Sequence, residues 1–252
     1  MKEALKTCLF VCWLAAATLP AQTLSVINGA RFEVSYPVSP GAYAQAYATY
    51  AGVTATNAPG VPLPLTLDGV QVLVNGTAAP LYAVGPTVMS FVVPKGTQTG
   101  RANIRVTRGG SDLATGTANV VPVSPGIFFV LGDPLAQGGI LNQASQYAIQ
   151  GAPAQRGSTI QIFATGQGPV NVDVPDGGVP ATGTLAQATG TTKVYISVDE
   201  ATVSFSGLSP QFPGLWQINA VVPDKPYISG QVPVVVTIDG VPTNQVSFWV
   251  AP

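Results

Sequence analysis

Two carboxylates stand close together in the segment NVDVPDGG, at Asp173 and Asp176. Carboxylate and carbonyl oxygens are the ligands that Ca²⁺ prefers, so this pair, together with Asn171, is a candidate calcium site. The spacing lacks the glutamate and the full ligand set of an EF-hand loop, and Asp-Gly turn chemistry in a long loop accounts for the same residues. We assign no metal site from the sequence and keep Asp173 and Asp176 as calcium candidates.

Two of the common catalytic residue types, histidine and cysteine, are absent or nearly absent from the sequence. It contains no histidine, and its only cysteines are Cys8 and Cys12, which argues against Ser-His-Asp and Cys-His catalysis and against imidazole metal sites. No nucleophile elbow, phosphate-binding loop or dinucleotide-binding fingerprint occurs in the required strand–turn–helix context. One enzymatic alternative remains, a histidine-free hydrolase with a carboxylate pair drawn from Asp173, Asp176 and Glu200. We expect that the protein is not an enzyme and that it has no catalytic residue and no cofactor.

The two tryptophans beyond the leader are expected to play different parts. Trp216 shares the parity of Ile218 along a predicted strand, so we expect it in the core. Trp249 alternates with Phe248 and Val250, so we expect it to be partly exposed, where it could stack on a sugar or anchor a partner. The alternative for Trp249 is that it covers the seam between two domains.

Tyr43 and Tyr47 occupy one side of another predicted strand and alternate with Ala44 and Ala46. The buried side is ambiguous, because alanines fill a core poorly. We expect the tyrosines to pack inward with their hydroxyl groups bonded at the rim. If they point outward instead, Tyr43 and Tyr47 join Trp249 as candidate contacts for a glycan or a partner.

Residues 1–21 have the pattern of an export signal. Lys2 and Lys6 form a basic start, an apolar stretch follows over 8–17, and small residues lead to Ala21. The apolar stretch is too short to span a bilayer. We expect cleavage after Ala21 and a mature chain without a membrane span, located outside the cell, at its surface or in the periplasm.

Charge is scarce throughout the sequence. Charged residues make up 8% of the chain, against about 25% in an average globular protein. Cleavage of the leader leaves 8 basic and 10 acidic residues and no cysteine. A chain of this kind has no basic surface for nucleic acid. It suits a weakly charged contact module that folds without disulfides.

Two parts of the sequence repeat. Residues 100–122 align without a gap on residues 230–252, and residues 41–52 align on residues 157–168. The apolar positions, the glycines and the terminal proline coincide. Internal repetition of this kind points to an architecture of similar units in tandem. Few residues separate the units, so we expect two domains that abut.

The residue types alternate in these repeats as they do in β-strands. Every second residue is apolar over 232–238, and in the first unit Arg101 and Arg105 take the opposite side of the equivalent segment. Burial of an unpaired guanidinium group is costly, so the arginine side must face water. The same alternation predicts that Val194, Ile196 and Val198 point inward.

Turn signals and the lack of helical periodicity complete the fold prediction. Asn-Gly at 75–76 and Asp-Gly at 239–240 predict tight turns, the second closing a hairpin between 232–238 and 246–250. No segment after the leader keeps a helical period of apolar residues. We predict an all-β protein with two tandem immunoglobulin-like β-sandwich domains, at 24–122 and 123–252.

Five sequence motifs follow one another along the second unit: SPGIF, QGGILNQ, RGSTIQIFATGQGPV, GLSPQFPGLWQINAVVP and VVVTIDGVPTNQV. Together they resemble the uncharacterised C-terminal β-domain family of secreted proteins from Solibacter-type bacteria, over residues 123–252. Residues 26–122 resemble the same unit more loosely, with Asn28 in the place of Asn142. The resemblance implies kinship to IPT/TIG-type immunoglobulin-like domains and an exported, accessory role, and it supplies no catalytic residues.

These observations favour an exported, non-catalytic protein for extracellular or cell-surface interaction or adhesion. Its contacts would come from the loops 55–66 and 171–192 and from exposed strand edges. The alternative is a carbohydrate-binding module with Trp249, Tyr43 and Tyr47 as stacking platforms. The partner is an unidentified protein or polysaccharide.

Overall fold

A computed structural model describes residues 22–33, 36–130 and 136–252. These ranges contain strands and no helix, which confirms the predicted all-β class. The predicted export signal at 1–21, with Cys8 and Cys12, lies outside the described residues.

Ten strands precede residue 121 and form two sheets. They are β1 (Gln22–Thr23), β2 (Ser25–Asn28), β3 (Tyr43–Tyr47), β4 (Thr56–Asn57), β5 (Val70–Val74), β6 (Thr77–Ala78), β7 (Leu81–Val84), β8 (Val88–Val92), β9 (Gly100–Arg108) and β10 (Ser111–Val120). Sheet A has the order β1-β10-β9-β5-β6, and sheet B has the order β2-β3-β8-β7-β4.

Ten further strands form a second pair of sheets. They are β11 (Gly126–Ile127), β12 (Ile140–Leu141), β13 (Thr159–Thr165), β14 (Thr192–Ile196), β15 (Asp199–Ala201), β16 (Val203–Leu208), β17 (Trp216–Val221), β18 (Gly230–Ile238), β19 (Val241–Pro242) and β20 (Val246–Val250). Sheet C has the order β11-β13-β17-β16, with β12 also on β13. Sheet D has the order β15-β14-β18-β19, with β20 also on β18.

Each pair of sheets encloses an apolar core of its own. The first core combines sheet A residues such as Val72 and Ile104 with Met89 and Phe91 of sheet B. Two sheets that pack face to face over alternating apolar side chains form a β-sandwich. Trp216 lies fully buried in the second core, as predicted, and its indole Nε1–H donates to Ser206 Oγ at 2.9 Å.

The repeated hairpin has the same register in both sandwiches. Gly100 lies opposite Val120 in the first, and Gly230 lies opposite Val250 in the second. At the tip of the second hairpin, residues 239 and 240 have φ angles of 49° and 79°, as a type I′ turn requires. The predicted hairpin is therefore confirmed. The domain limits 24–122 and 123–252 stay a prediction.

The structure reverses the expected orientation of the β3 tyrosines. Ala44 and Ala46 are fully buried, and they lie opposite Phe91 and Met89 on β8. These large neighbours fill the space that the alanines leave, which the sequence of β3 alone did not show. The prediction that Tyr43 and Tyr47 pack inward is wrong, because the alanine side of β3 faces the core.

The expected inward position of Val198 is also wrong. Strand β14 ends at Ile196, and Ser197 has a positive φ of 55°. The chain turns there towards β15, and Val198 is 83% exposed.

Tyr50 is the buried tyrosine of this region, and its hydroxyl donates to Ala46 O at 3.0 Å. Burial raises the pKa of Tyr50 above its usual range, which lies near 10 in the unfolded chain. Above about pH 10 the folded chain therefore keeps a proton that the unfolded chain releases, and the free energy of unfolding falls as the pH rises.

Tyr50→Phe should lower the free energy of unfolding by about 1 kcal/mol at neutral pH, because it removes this hydrogen bond. The same variant should lose stability less steeply than the unsubstituted chain between about pH 9 and pH 11. Urea unfolding across that range measures both slopes, with Tyr147→Phe, at a site 60% exposed, as the control. Equal slopes for Tyr50→Phe and the unsubstituted chain would refute the expectation.

Candidate binding groove

The two sandwiches meet at an interface that contains buried hydrogen bonds, and we call this interface the seam. Asn28 is fully buried at the end of β2; its Nδ2 donates to Ser124 O at 2.7 Å, and its Oδ1 accepts from Ala30 N at 2.9 Å. Ser124 Oγ in turn donates to Pro37 O. Buried amides need such partners, so Asn28 fixes the segment between the sandwiches to the first of them.

Thr165 joins three pieces of chain at the same seam. Its Oγ1 accepts from Tyr43 N at 2.8 Å and donates to Gly214 O at 2.8 Å. Thr165 is fully buried at the end of β13. One hydroxyl thus ties β3 of the first sandwich to β13 and to the loop before β17.

The outward ring of Tyr43 packs against aromatic rings of both sandwiches. Its centroid lies 5.5 Å from that of Tyr82 and 5.8 Å from that of Phe128, in edge-on and tilted arrangements that aromatic pairs favour. We call Tyr43, Tyr82 and Phe128 the aromatic cluster. Tyr82 is fixed further by its hydroxyl, which donates to Pro213 O at 2.6 Å.

Gly29 leaves the room that the Tyr43 ring occupies. A Cβ at residue 29 would lie 2.2 Å from Tyr43 Cδ1 and 2.3 Å from Cε1. No larger residue fits here unless the ring moves. The position of Tyr43 therefore depends on Gly29 as well as on Thr165.

The aromatic cluster lines a depression of about 640 Å³ between the sandwiches. A neighbouring depression of about 1080 Å³ shares four of its wall residues, namely Phe128, Gln211, Phe212 and Leu215. We call the two together the aromatic groove. Phe212 stands between them with 51% of its surface exposed, and the predicted contact loop 55–66 contributes Asn57 and Leu63 to the wall.

Amide and hydroxyl groups stand beside the rings. Gln45 Nε2 donates to Tyr43 Oη at 3.2 Å, and Gln45 Oε1 accepts from Tyr47 Oη at 3.0 Å. Ser90 Oγ lies 3.5 Å from Gln45 Nε2. The tyrosines and Gln45 thus form a polar chain along the outer face of sheet B, with Tyr47 at its solvent end.

None of the described residues that line the aromatic groove is charged. Burial and then the neighbouring Tyr43 raise the pKa of both Tyr82 and Tyr47, so these two phenol groups stay neutral. The groove therefore offers rings, amides and hydroxyl groups, and no ionic partner for a charged ligand.

The two candidate calcium ligands lie at a different depression and face a lysine. Lys95 Nζ donates to Asp173 and to Val174 O, and Lys95 N donates to Asp176 Oδ1 at 2.9 Å. Asn171 Oδ1 accepts a hydrogen bond from Gln187 N at 2.9 Å. Within the described ranges no three acids, histidines or cysteines form a metal-binding group. The calcium site stays a hypothesis. In this structure the ammonium group of Lys95 pairs with Asp173.

The other candidate residues are not drawn into the groove. Trp249 is half-buried on β20 opposite Gln231 of β18, and it lines none of the depressions described above. Glu200 pairs with Lys193 at 3.2 Å on the strand pair β14–β15, and it does not join Asp173 and Asp176.

We did not predict Tyr82, Phe128 or Phe212 as site residues from the sequence. The one usable signal was Phe212, an aromatic residue in the proline-flanked loop Pro210–Pro213, where an exposed ring is expected. Tyr82 and Phe128 carry no local signal, because their role depends on how sheet B meets sheet C.

No protein-family model matches the chain, and no curated protein matches it. A Bacteroides ovatus protein of a mixed-linkage glucan utilization locus, solved with a heptasaccharide, is 13% identical with a TM-score of 0.35 over 86% of this chain. The chain spans 44% of that protein. Domains 5–6 of the S-layer protein SbsC are 16% identical with a TM-score of 0.26, over 91% of this chain and 97% of theirs.

The titin tandem immunoglobulin domains A164–A165 are 10% identical with a TM-score of 0.22, over 92% of this chain and 98% of theirs. Scores below 0.5 establish neither a shared fold nor a shared function. The fold assignment therefore rests on the strand pairing and the two cores. Within the described ranges, no helix has the length and apolar character needed to cross a membrane.

Proposed function

We propose that the chain is an exported, non-catalytic binding protein whose aromatic groove holds a neutral polysaccharide. The observation that supports this most is the uncharged, concave wall in which the rings of Tyr43, Tyr82, Phe128 and Phe212 stand beside the amides of Gln45 and Gln211. The pattern of residues 1–21 supports export.

The chemistry of a sugar ring suits this wall. One face of a pyranose presents C–H groups, which pack on the electron-rich face of an aromatic ring, and its edge presents hydroxyl groups. Amide and hydroxyl side chains donate to and accept from such edges. Ligand sites that combine apolar walls with a few polar groups fix both affinity and orientation in this way.

The shape of the wall favours a chain-like ligand. The two depressions share Phe128, Gln211, Phe212 and Leu215 as wall residues, so a polymer bound in one can continue into the other. Protein interfaces are also rich in aromatic residues, but they favour arginine as well, and this wall carries no arginine among its described residues. Binding to a protein instead of a polysaccharide is an outcome that the following test can return.

Phe212→Ala should weaken retention by neutral polysaccharides about tenfold, since the loss of one stacked ring costs on the order of 1–2 kcal/mol. Affinity electrophoresis in gels that contain neutral glucans, mannans or xylans measures this, with alginate as a charged comparison. Tyr227→Ala is the matched control, because Tyr227 is 59% exposed and outside the groove.

Retention by alginate alone, or equal retention of Phe212→Ala and Tyr227→Ala, would contradict the proposal. The proposal would also be contradicted if no neutral polymer retained the protein and the protein bound a secreted protein instead. An increase of reducing ends during incubation with a retained polysaccharide would point to the hydrolase alternative.

A further inference from the structure

The ring of Phe212 belongs to the loop between β16 and β17, over residues 209–215, which we call the Phe212 loop. Ser209 N donates to Leu215 O at 2.8 Å, and this bond closes the base of the loop. The ring is 51% exposed, and among the described residues no aromatic ring packs against it. Its position therefore depends on the backbone that carries it rather than on packing against other rings.

Phe212 begins a tight turn within this loop. Leu215 N donates to Phe212 O at 3.2 Å, and Gly214 has a φ of +70°. Proline at the second position and a glycine with positive φ at the third are the residues that a type II turn favours. The ring of Pro213 fixes its own φ at about −65° and restricts the residue before it to extended conformations. Phe212 therefore has few backbone conformations once Pro213 is held in place.

Two hydroxyl groups hold consecutive carbonyl groups of the turn. Tyr82 Oη donates to Pro213 O at 2.6 Å, and Thr165 Oγ1 donates to Gly214 O at 2.8 Å. Thr165 belongs to the second sandwich, as the Phe212 loop does, whereas Tyr82 lies on β7 of the first. The bond from Tyr82 therefore fixes the turn relative to the other half of the aromatic groove.

The backbone of the first sandwich also lies close to the turn. A Cβ on Gly214 would lie 3.0 Å from Gly41 O and 3.2 Å from Val92 Cγ2. The turn therefore lies against the first sandwich on one side, and the Tyr82 hydroxyl holds the adjoining carbonyl group.

We propose that the Tyr82 hydroxyl is a positioning group, which holds the turn on the first sandwich and so determines where the Phe212 ring meets the polysaccharide. This inference rests on the binding function proposed above for the aromatic groove. The ring of Tyr82 belongs to the wall, but its hydroxyl proton is already donated to Pro213 O. The hydroxyl thus acts on the ligand through Pro213 and Phe212.

Tyr82→Phe tests the proposal, because it removes the hydroxyl group and keeps the ring. In the free protein, amide hydrogen exchange at Leu215 should become about fivefold faster, since its bond to Phe212 O closes the turn. Exchange at Ile218, within β17, should stay the same. Retention by the neutral polysaccharide should weaken about fivefold.

Tyr227→Phe is the matched control. It also removes a tyrosine hydroxyl that donates a hydrogen bond, at 2.7 Å to Asp199 Oδ2, but this bond lies outside the groove. Neither exchange at Leu215 nor retention should change in this variant.

A double variant separates positioning from direct contact with the sugar. If the hydroxyl acts through the Phe212 ring, adding Tyr82→Phe to Phe212→Ala should change retention by less than about twofold. A further fivefold loss would mean that the hydroxyl itself binds the sugar and would overturn the proposal. Unchanged exchange at Leu215 in Tyr82→Phe, or an equal increase at Leu215 and Ile218, would overturn it as well.

The exchange measurement needs no ligand, so this proposal and the binding function can fail separately. If no neutral polysaccharide retains the unsubstituted chain, the binding function is contradicted, and exchange at Leu215 still decides whether Tyr82 positions the turn. Retention that depends on Phe212, together with unchanged exchange in Tyr82→Phe, would contradict the positioning role alone.

Discussion

Gly166→Ala is expected to destabilise the protein by about 3 kcal/mol or more. A Cβ at this residue would lie 1.8 Å from Ser124 O and 2.5 Å from Ser124 C. The obstacle is backbone, and Asn28 holds that same carbonyl in place at 2.7 Å. Neither side can yield without separating β13 from the segment that joins the two sandwiches.

Gly157→Ala is the control that separates the effect of this clash from the effect of a left-handed backbone conformation. Gly157 has a φ of +74° against +86° for Gly166, and nothing lies within 4 Å of the Cβ that it would carry. A left-handed alanine costs about 1 kcal/mol, so urea unfolding should show a small loss for Gly157→Ala and a much larger one for Gly166→Ala. Similar losses in the two variants would mean that the seam is not packed as described.

Gly29→Ala is expected to weaken polysaccharide binding about tenfold or more, since it displaces the central ring of the aromatic cluster. The new methyl group would lie 2.2 Å from Tyr43 Cδ1, so the ring must leave its place between Tyr82 and Phe128. Residue 29 does not have a positive φ, and the substitution therefore acts on the ring rather than on the backbone.

Gly60→Ala is the matched control for this variant. Gly60 lines the same groove, and a Cβ there meets nothing within 4 Å. Affinity electrophoresis should show weak retention for Gly29→Ala and normal retention for Gly60→Ala. Normal retention of both variants would remove Tyr43 from the binding wall.

Local alternation and turn chemistry predicted most of the fold. The arginine side of β9 and the Asp-Gly turn after β18 each follow from a short-range rule, burial cost in the first case and backbone twist in the second. These rules failed at β3, where the choice of face depends on Phe91 and Met89, residues that lie on β8 and become neighbours only through pairing.

The candidate site was less predictable, because it arises where two sandwiches meet. Tyr43 was considered from the sequence, but its contacts with Tyr82 and Phe128 join residues of sheet B to a residue after β11. No periodicity within one strand encodes such a contact. Trp249, chosen for its parity, lies on β20 of sheet D, whereas the second sandwich lines the groove with sheet C residues such as Leu141 and Phe163 and with loops beside that sheet.

The repeated asparagine shows how a local signal acquires a new role. Asn28 and Asn142 each accept from the amide two residues later, at 2.9 Å in both units. The Nδ2 group of Asn142 donates to Ala152 O within the second unit, at 2.9 Å, whereas that of Asn28 crosses to Ser124. The same turn therefore closes a loop in one sandwich and joins the sandwiches in the other.

The most direct measurement is an NMR map of the unsubstituted chain with an oligosaccharide cut from whichever neutral polysaccharide retains it. We expect the largest shifts on Tyr43, Tyr82, Phe128 and Phe212, on both sides of the seam. Shifts confined to the Trp249 face of sheet D, or to one sandwich alone, would contradict this expectation.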